Sequence, residues 1–400
     1  MKLYAQHGHA AGDKILKGIS DGQIEGVIFS PRYMKYENAQ DKILEIKAAN
    51  PDADILLDPE YYATRYVGAP NCQLRYLTEW PHFVPRRRNE LLVGSVGIDA
   101  TLRASYETQL RLGCSALIAP NVFVSNSLDS IEAAIAISFI SRSRLVANEM
   151  GVDVPVFASV VLGRDALLDR RNYESFLNAI TAVEPLPAGV YALIGGGPAD
   201  ERVGTVRSEI IVPEIIAGWM LLNYSLSLNG MKVINGSSDI LTPWLGVAGG
   251  YAGATGWWSN LQVFAMGRYV RSSGGGQLPR VRYLSKALLN RITINEREAF
   301  AAIVPDIMNR LSTDVLYEGR EPSRTDEAIQ NWDAINSLVR DSTSDEIMRG
   351  LGVLKQKTIR ARELYDQLQS FGFSEQYEAN TEYLDALSGS ISAFEELAEI

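Results

Sequence analysis

The chain has 400 residues, 46% of them hydrophobic and 22% charged, which is enough apolar material for one large domain with an extension or for two domains. A net charge of −10 and a pI near 5.1 argue against non-specific nucleic-acid binding over the whole surface; the only dense basic run is Arg86-Arg87-Arg88. Two cysteines in different contexts, Cys72 and Cys114, with no Cys-x-x-Cys pair, argue against a cysteine zinc site or a dithiol motif and fit a reduced, cytoplasmic compartment. No run of about 20 apolar residues occurs and the N-terminus lacks a signal peptide's apolar core, so no membrane partner is expected.

Residues 2–6 predict a first strand, followed by His7-Gly8-His9. A helix over 13–21 ends at Gly22, a residue suited to the left-handed helix end. Residues 26–29 (GVIF) read as a second strand, followed by Ser30-Pro31-Arg32. A helix over 37–49 turns Ile43, Leu44 and Ile46 inward. Residues 54–57 (DILL) are a third strand, followed by Asp58-Pro59-Glu60. Short apolar strands alternating with helices argue for a parallel sheet covered on both faces.

The rhythm then breaks. Residues 60–99 carry Tyr61, Tyr62, Tyr66, Tyr76, Trp80 and His82 with no clean period, and read as a long insertion. A helix resumes over 100–112. Strand four is 115–119, followed by Asn121, and a helix spans 128–150. Strand five is 155–161, followed by Arg164 and Asp165, with a helix over 166–183. Strand six is 190–194, followed by Gly195-Gly196-Gly197, with a helix over 209–228. Strand seven, 232–234, opens into Asn235-Gly236-Ser237-Ser238-Asp239. Strand eight, 251–254, ends in Thr255-Gly256-Trp257-Trp258, with a helix expected over 259–270.

Eight such units without a dinucleotide fingerprint after the first strand predict an α/β fold, a (β/α)8 TIM-type barrel over residues 1–271. The glycine-rich stretch 272–282 predicts a hinge. Beyond it, 283–400 predicts an α-helical extension, with helices over 283–291, 296–311, 325–339, 344–371 and 382–397. Trp332, Ile335, Leu338 and Val339 give one of these an apolar face that fits the barrel or a protein partner.

Such barrels carry their active face at the carboxyl ends of the strands, so the residues after each strand are the candidates. Asp58 leads, as base or nucleophile at a partly desolvated rim; Glu60 and Asp239 can supply a second carboxylate. The competing reading of Asp58-Pro59 is a turn. Arg32 and Arg164 suit an anion. Gly195, Gly196, Gly197, Asn235, Ser237 and Thr255 suit a phosphate or nucleotide, and Trp257 suits stacking on a base or sugar. His7 and His9, two residues apart, would share a face if the strand continued, and would then suit a metal.

The triple glycine after strand six and the glycine-rich ends of strands seven and eight resemble the tRNA-guanine transglycosylase-like barrels. That resemblance implies strand-end aspartates, here Asp58 or Asp239, acting in base exchange on nucleic acid. That family's zinc-binding cysteine cluster has no counterpart in Cys72 and Cys114. The expectation is therefore an enzyme acting on a phosphorylated or nucleoside-like ligand, by carboxylate-assisted glycosyl transfer or hydrolysis. The alternatives are a partner-dependent barrel subunit of a larger assembly and a metal-dependent hydrolase using His7 and His9. No cofactor is assigned.

Overall fold

The computed structural model describes residues 1–196, 212–271, 280–373 and 381–400. Eight parallel strands run in the order β3-β2-β1-β8-β7-β6-β5-β4. They are β1 (Lys2–Gln6), β2 (Gly26–Phe29), β3 (Asp54–Leu57), β4 (Leu117–Ile118), β5 (Val156–Gly163), β6 (Gly189–Gly196), β7 (Lys232–Asn235) and β8 (Ala252–Thr255). The first strand pairs with the last, Lys2 to Ala252 through Ala5 to Thr255. The open edges β3 and β4 meet where Ser115 N–H donates to the Ile55 carbonyl at 2.8 Å and Ile55 N–H donates to Ser115 Oγ at 2.9 Å. The result is a nearly closed TIM-type barrel. Its strands are buried almost end to end, as a sheet with helices outside and side chains inside requires.

The outer helices are α1 (Lys14–Ser20), α2 (Tyr36–Ala49), α4 (Val96–Leu112), α5 (Ile131–Glu149), α6 (Arg170–Thr181), α7 (Pro213–Leu228) and the short α8 (Thr242–Val247). In α2 the buried stripe is Ala39, Ile43 and Ile46. Leu44, expected inward, is 69% exposed, because it lies about 100° round the helix from Ile43. The insertion after β3 is an ordered cover. It folds into 3-10 turns at Tyr61–Tyr66 and Arg75–Glu79 and a short helix α3 (Arg88–Leu92), and it ends earlier than expected, where α4 begins at Val96. It is pinned by the Trp80 indole donating to the Met34 carbonyl at 2.8 Å and by His82 Nε2 against the Pro59 carbonyl at 3.0 Å.

The helix expected after strand eight is instead one turn, α9 (Ser259–Gln262), then a short strand β9 (Phe264–Ala265) and a 3-10 turn (Met266–Tyr269). Strand β9 pairs with the end of β6, Gly195 to Phe264 and Gly196 to Ala265. A Cβ on Gly195 would lie 1.9 Å from the Phe264 carbonyl oxygen, so glycine is what lets this segment close over the barrel end.

Beyond residue 280 a second expectation fails. Residues 283–291 form no helix but an antiparallel hairpin, β10 (Arg282–Ser285) and β11 (Asn290–Thr293). Ala287, Leu288 and Leu289 favour a helix locally, but Gln330 takes both the N–H and the carbonyl of Leu284, holding that chain extended. Helices α10 (Ile294–Ile303), α11 (Arg324–Ser342), α12 (Ile347–Ser370) and α13 (Glu382–Ala398) follow. They pack onto the barrel in one continuous core with it. The Trp332 indole donates to the Thr255 carbonyl at 3.2 Å, and its ring fills the space a side chain on Gly18 would need. The Trp244 indole donates to the Leu387 carbonyl at 3.3 Å. Residues 272–279, most of the expected hinge, lie outside the described residues. Among the described residues no helix is long and apolar enough to cross a membrane.

Candidate active site

The strand-end residues divide into two groups. At the end of β3, Asp58 is buried at 3% exposure. Its Oδ1 accepts the Glu60 N–H at 2.9 Å, so the turn reading is correct for that oxygen. Its Oδ2 is used differently. It accepts the Tyr62 hydroxyl at 2.7 Å and, from β6 across the barrel interior, the Tyr191 hydroxyl at 3.1 Å. Glu60 has a left-handed backbone, φ 50°, which turns its carboxylate back over the strand ends. There it accepts the Ser30 hydroxyl at 2.8 Å and the Arg32 N–H at 3.2 Å. His7 joins the cluster. Its Nδ1 accepts the Ser30 N–H at 3.4 Å, and its ring packs 5.3 Å from Phe29.

Neither Asp58 nor Glu60 forms an ion pair among the described residues, and burial therefore acts on both. Burial pushes the Asp58 carboxyl up, against the three hydrogen bonds that favour its charge. Glu60 is pushed up to about 7, first by burial and then by the charge of Asp58. Burial thus raises both carboxyls, and the Asp58 charge raises Glu60 further, into the neutral range. Burial, with the Asp58 charge next, holds the Tyr62 and Tyr191 hydroxyls protonated as donors. Burial lowers His7 to about 4, so it is neutral.

Aromatic residues roof this cluster. Tyr62 stands edge-on to Phe264 at 5.4 Å and to Tyr269 at 5.9 Å. Gln6 at the end of β1 and Tyr269 in the roof lie against the hydroxyls of Tyr191 and Tyr62, and Ser237 Oγ after β7 is buried with no hydrogen bond among the described residues. A Cβ on Gly236 would lie 2.7 Å from the Tyr191 hydroxyl, which puts the loop after β7 against the same tyrosine that reaches Asp58.

The second group, at the ends of β4 to β8, is taken up by contacts within the fold. Asp239 accepts both Nη1 and Nη2 of Arg291 on β11, each at 2.7 Å, and the Thr255 hydroxyl at 2.6 Å. Its charge is therefore matched, and it ties the barrel to the hairpin. Asn235 is consumed by Trp219 and by a reciprocal amide pair with Asn223. Asn121 is spent on the Ser159 and Ala136 carbonyls and the Val122 N–H. Trp257 is no open platform. It is 2% exposed, its indole donates to the His9 carbonyl at 2.8 Å, and its edge meets the His7 ring at 6.5 Å. Gly195 and Gly196 pair with β9 rather than lining an open cradle, and Gly197 lies outside the described residues. Arg164 sits 3.7 Å from Asp165, away from the Asp58 cluster's hydrogen bonds.

His7 and His9 do not share a face, because the strand stops at Gln6; His7 is buried and His9 exposed. No group of three or more His, Cys, Asp or Glu side chains with metal-binding geometry gathers among the described residues. The residues of this cluster missed from sequence are Gln6, Tyr62, Tyr191 and Tyr269. A signal existed for one of them: Tyr191 is the lone hydroxyl in the apolar run VYALI, on a strand whose alternate residues face the barrel interior. No known protein family matches the chain, and no curated protein matches it.

Proposed function

We propose that the chain is an enzyme that cleaves or exchanges a glycosidic bond of a nucleoside-like or phosphorylated ligand, with Asp58 and Glu60 as its working carboxylates. The observation carrying this is the pair itself: two carboxylates buried at a barrel strand end, neither ion-paired among the described residues, with Glu60 pushed up to about 7 by burial and by the Asp58 charge. In this reading Asp58 attacks the anomeric carbon while the bond to the leaving group breaks. The bonding electrons go to the leaving group, which takes the proton of Glu60. Water or an incoming base then displaces Asp58 and returns a proton to Glu60. Tyr62 and Tyr191 hold Asp58 in place throughout. Asp239, assigned a supporting role from sequence, drops out because Arg291 neutralises it. Ligand entry requires movement of the roof, since Asp58 is buried beneath it. The resemblance to the transglycosylase-like barrels agrees in chemistry.

The test is incubation of the full chain with nucleosides, nucleoside monophosphates and oligonucleotides, reading free base by chromatography. Base release or exchange by the wild type, abolished in a folded Asp58→Asn variant, is expected. Wild-type protein inert to the whole panel, or a fully active Asp58→Asn, would overturn the reading. A second reading, a partner-dependent barrel subunit, draws on Val93 and Val96, 77% and 80% exposed beside the arginine run of the insertion. Light scattering of the wild type and a Val93→Asp/Val96→Asp variant tests it. Identical monomers, with no partner recovered by pull-down, count against it.

A further inference from the structure

The sequence pointed to the glycine-rich ends of β6 to β8 as the place for a phosphate. That space is filled: the Phe264 carbonyl lies where a Cβ on Gly195 would, and Tyr191 and Leu193 crowd Gly236. The unmatched positive charge lies elsewhere, in the roof. The Arg32 guanidinium sits between two rings, 5.0 Å from Tyr33 and 5.1 Å from Tyr269. Arg75 covers Tyr33 at 5.4 Å. Tyr269 stacks on Tyr66 at 6.1 Å, and Arg65 lies over Tyr66 at 5.8 Å. Arg268 covers Phe264 at 5.1 Å. These residues form a connected run of guanidinium groups and rings across the barrel mouth.

None of the four arginines forms an ion pair among the described residues, although the chain as a whole carries −10. Arginines elsewhere, such as Arg142 with Asp99 and Arg291 with Asp239, are paired. The four guanidinium groups outnumber the two carboxylates beneath them. Arg32 is only 3% exposed, with Nε donating to the Gln73 carbonyl at 3.0 Å and Nη1 to the Tyr33 hydroxyl at 2.7 Å. Arg268 is oriented likewise, Nε and Nη2 donating to the Ala265 and Val263 carbonyls at 3.1 Å each. Each guanidinium is thus fixed by neutral acceptors, with one terminal nitrogen, Nη2 of Arg32 and Nη1 of Arg268, making no hydrogen bond among the described residues. Oriented, unneutralised guanidinium groups with a spare donor are what an oxyanion requires. Both act electrostatically on Glu60, which places them beside the proposed reacting atoms.

We propose that Arg32 and Arg268 form the oxyanion subsite that holds the phosphate of the ligand, with Arg65 and Arg75 extending it outward. The inference rests on reading the barrel mouth as a ligand site. It is tested by binding alone, so it stands or falls separately from the glycosidic chemistry. Inorganic phosphate, a nucleoside 5′-monophosphate and a short oligothymidylate are titrated calorimetrically into the full chain at constant ionic strength. The same titrations are run on Arg32→Gln, Arg268→Gln, Arg65→Gln/Arg75→Gln and, as a control on α12, Arg360→Gln. Thermal melts check folding; Arg268→Gln, at a half-buried position, keeps the test open if the buried Arg32→Gln misfolds. Expected is binding by the wild type, weakened on the order of tenfold in Arg32→Gln and Arg268→Gln and unchanged in Arg360→Gln. A further loss in Arg65→Gln/Arg75→Gln confined to the oligonucleotide assigns the phosphate to a strand; no such loss assigns it to a monoester. A wild type that binds none of the three, or a folded Arg268→Gln that binds like wild type, overturns the subsite.

Discussion

Asp58 and Asp239 begin from equivalent positions. Each is an aspartate following a barrel strand, Asp58 directly after β3 and Asp239 four residues after β7, and each ends up almost completely buried. They differ in what meets them. Asp58 meets hydroxyls and an N–H, which hold a carboxylate in place without cancelling its charge. Asp239 meets a guanidinium square-on and a hydroxyl, which cancel it. A buried charge left uncancelled is costly, and it persists where chemistry uses it; a buried charge that is paired serves as a joint. The two aspartates thus show one residue type in two electrostatic settings.

Neutralising each carboxylate in turn separates the two settings most clearly. Asp58→Asn should reduce base release by about a thousandfold or more while the protein unfolds at a similar temperature. A large fall in Tm with activity retained would reverse the roles. Asp239→Asn should do the opposite. It leaves Arg291 buried with half its partner gone, costing roughly 3–5 kcal/mol in urea unfolding. Stability within about 0.5 kcal/mol of wild type would remove the joint.

The pH dependence sharpens the same contrast. Glu60 is raised to about 7 from 4.5, so its neutral form is the one the fold prefers. Its contribution is complete below 4.5 and is lost as pH rises through 7. His7 runs the other way. Lowered to about 4 from 6.5, its contribution is complete above 6.5 and is lost as pH falls through 4. Glu60→Gln should therefore flatten the alkaline side of the stability profile, by on the order of 2 kcal/mol between about pH 5 and 8, and leave the acid side as it was. An unchanged alkaline limb would show that Glu60 is charged in the fold at neutral pH. The smallest effect is expected at Trp257. Trp257→Phe loses one indole donor to the His9 carbonyl, which Trp258 still satisfies at 2.9 Å. The cost should be about 1 kcal/mol or less, with phosphate binding intact by calorimetry.

Much of the site's first contact was legible. Asp58, Glu60, Ser30, Arg32 and His7 were all visible as polar residues closing apolar strands, and they do converge. Tyr62 and Tyr269 were not, because their segments have no period that says which way a side chain points. The two misplaced helices share one cause. Residues 263–265 and 282–285 have local preferences too weak to choose a state, and each was decided by a distant strand or side chain offering hydrogen bonds, β6 in one case and Gln330 in the other.

By itself the sequence determined the barrel. Alternation of short apolar strands with helices is a local property, and parallel pairing with right-handed crossovers leaves few closed arrangements. It also determined which residues would stand at the strand ends. Only the tertiary structure decided which of them meet an opposite charge. That depends on whether the long-range partner is a tyrosine from across the barrel, as for Asp58, or an arginine from a hairpin 52 residues further along the chain, as for Asp239. Pairing between charges brought together by folding is a matter of distance in space, and no spacing along the chain encodes it.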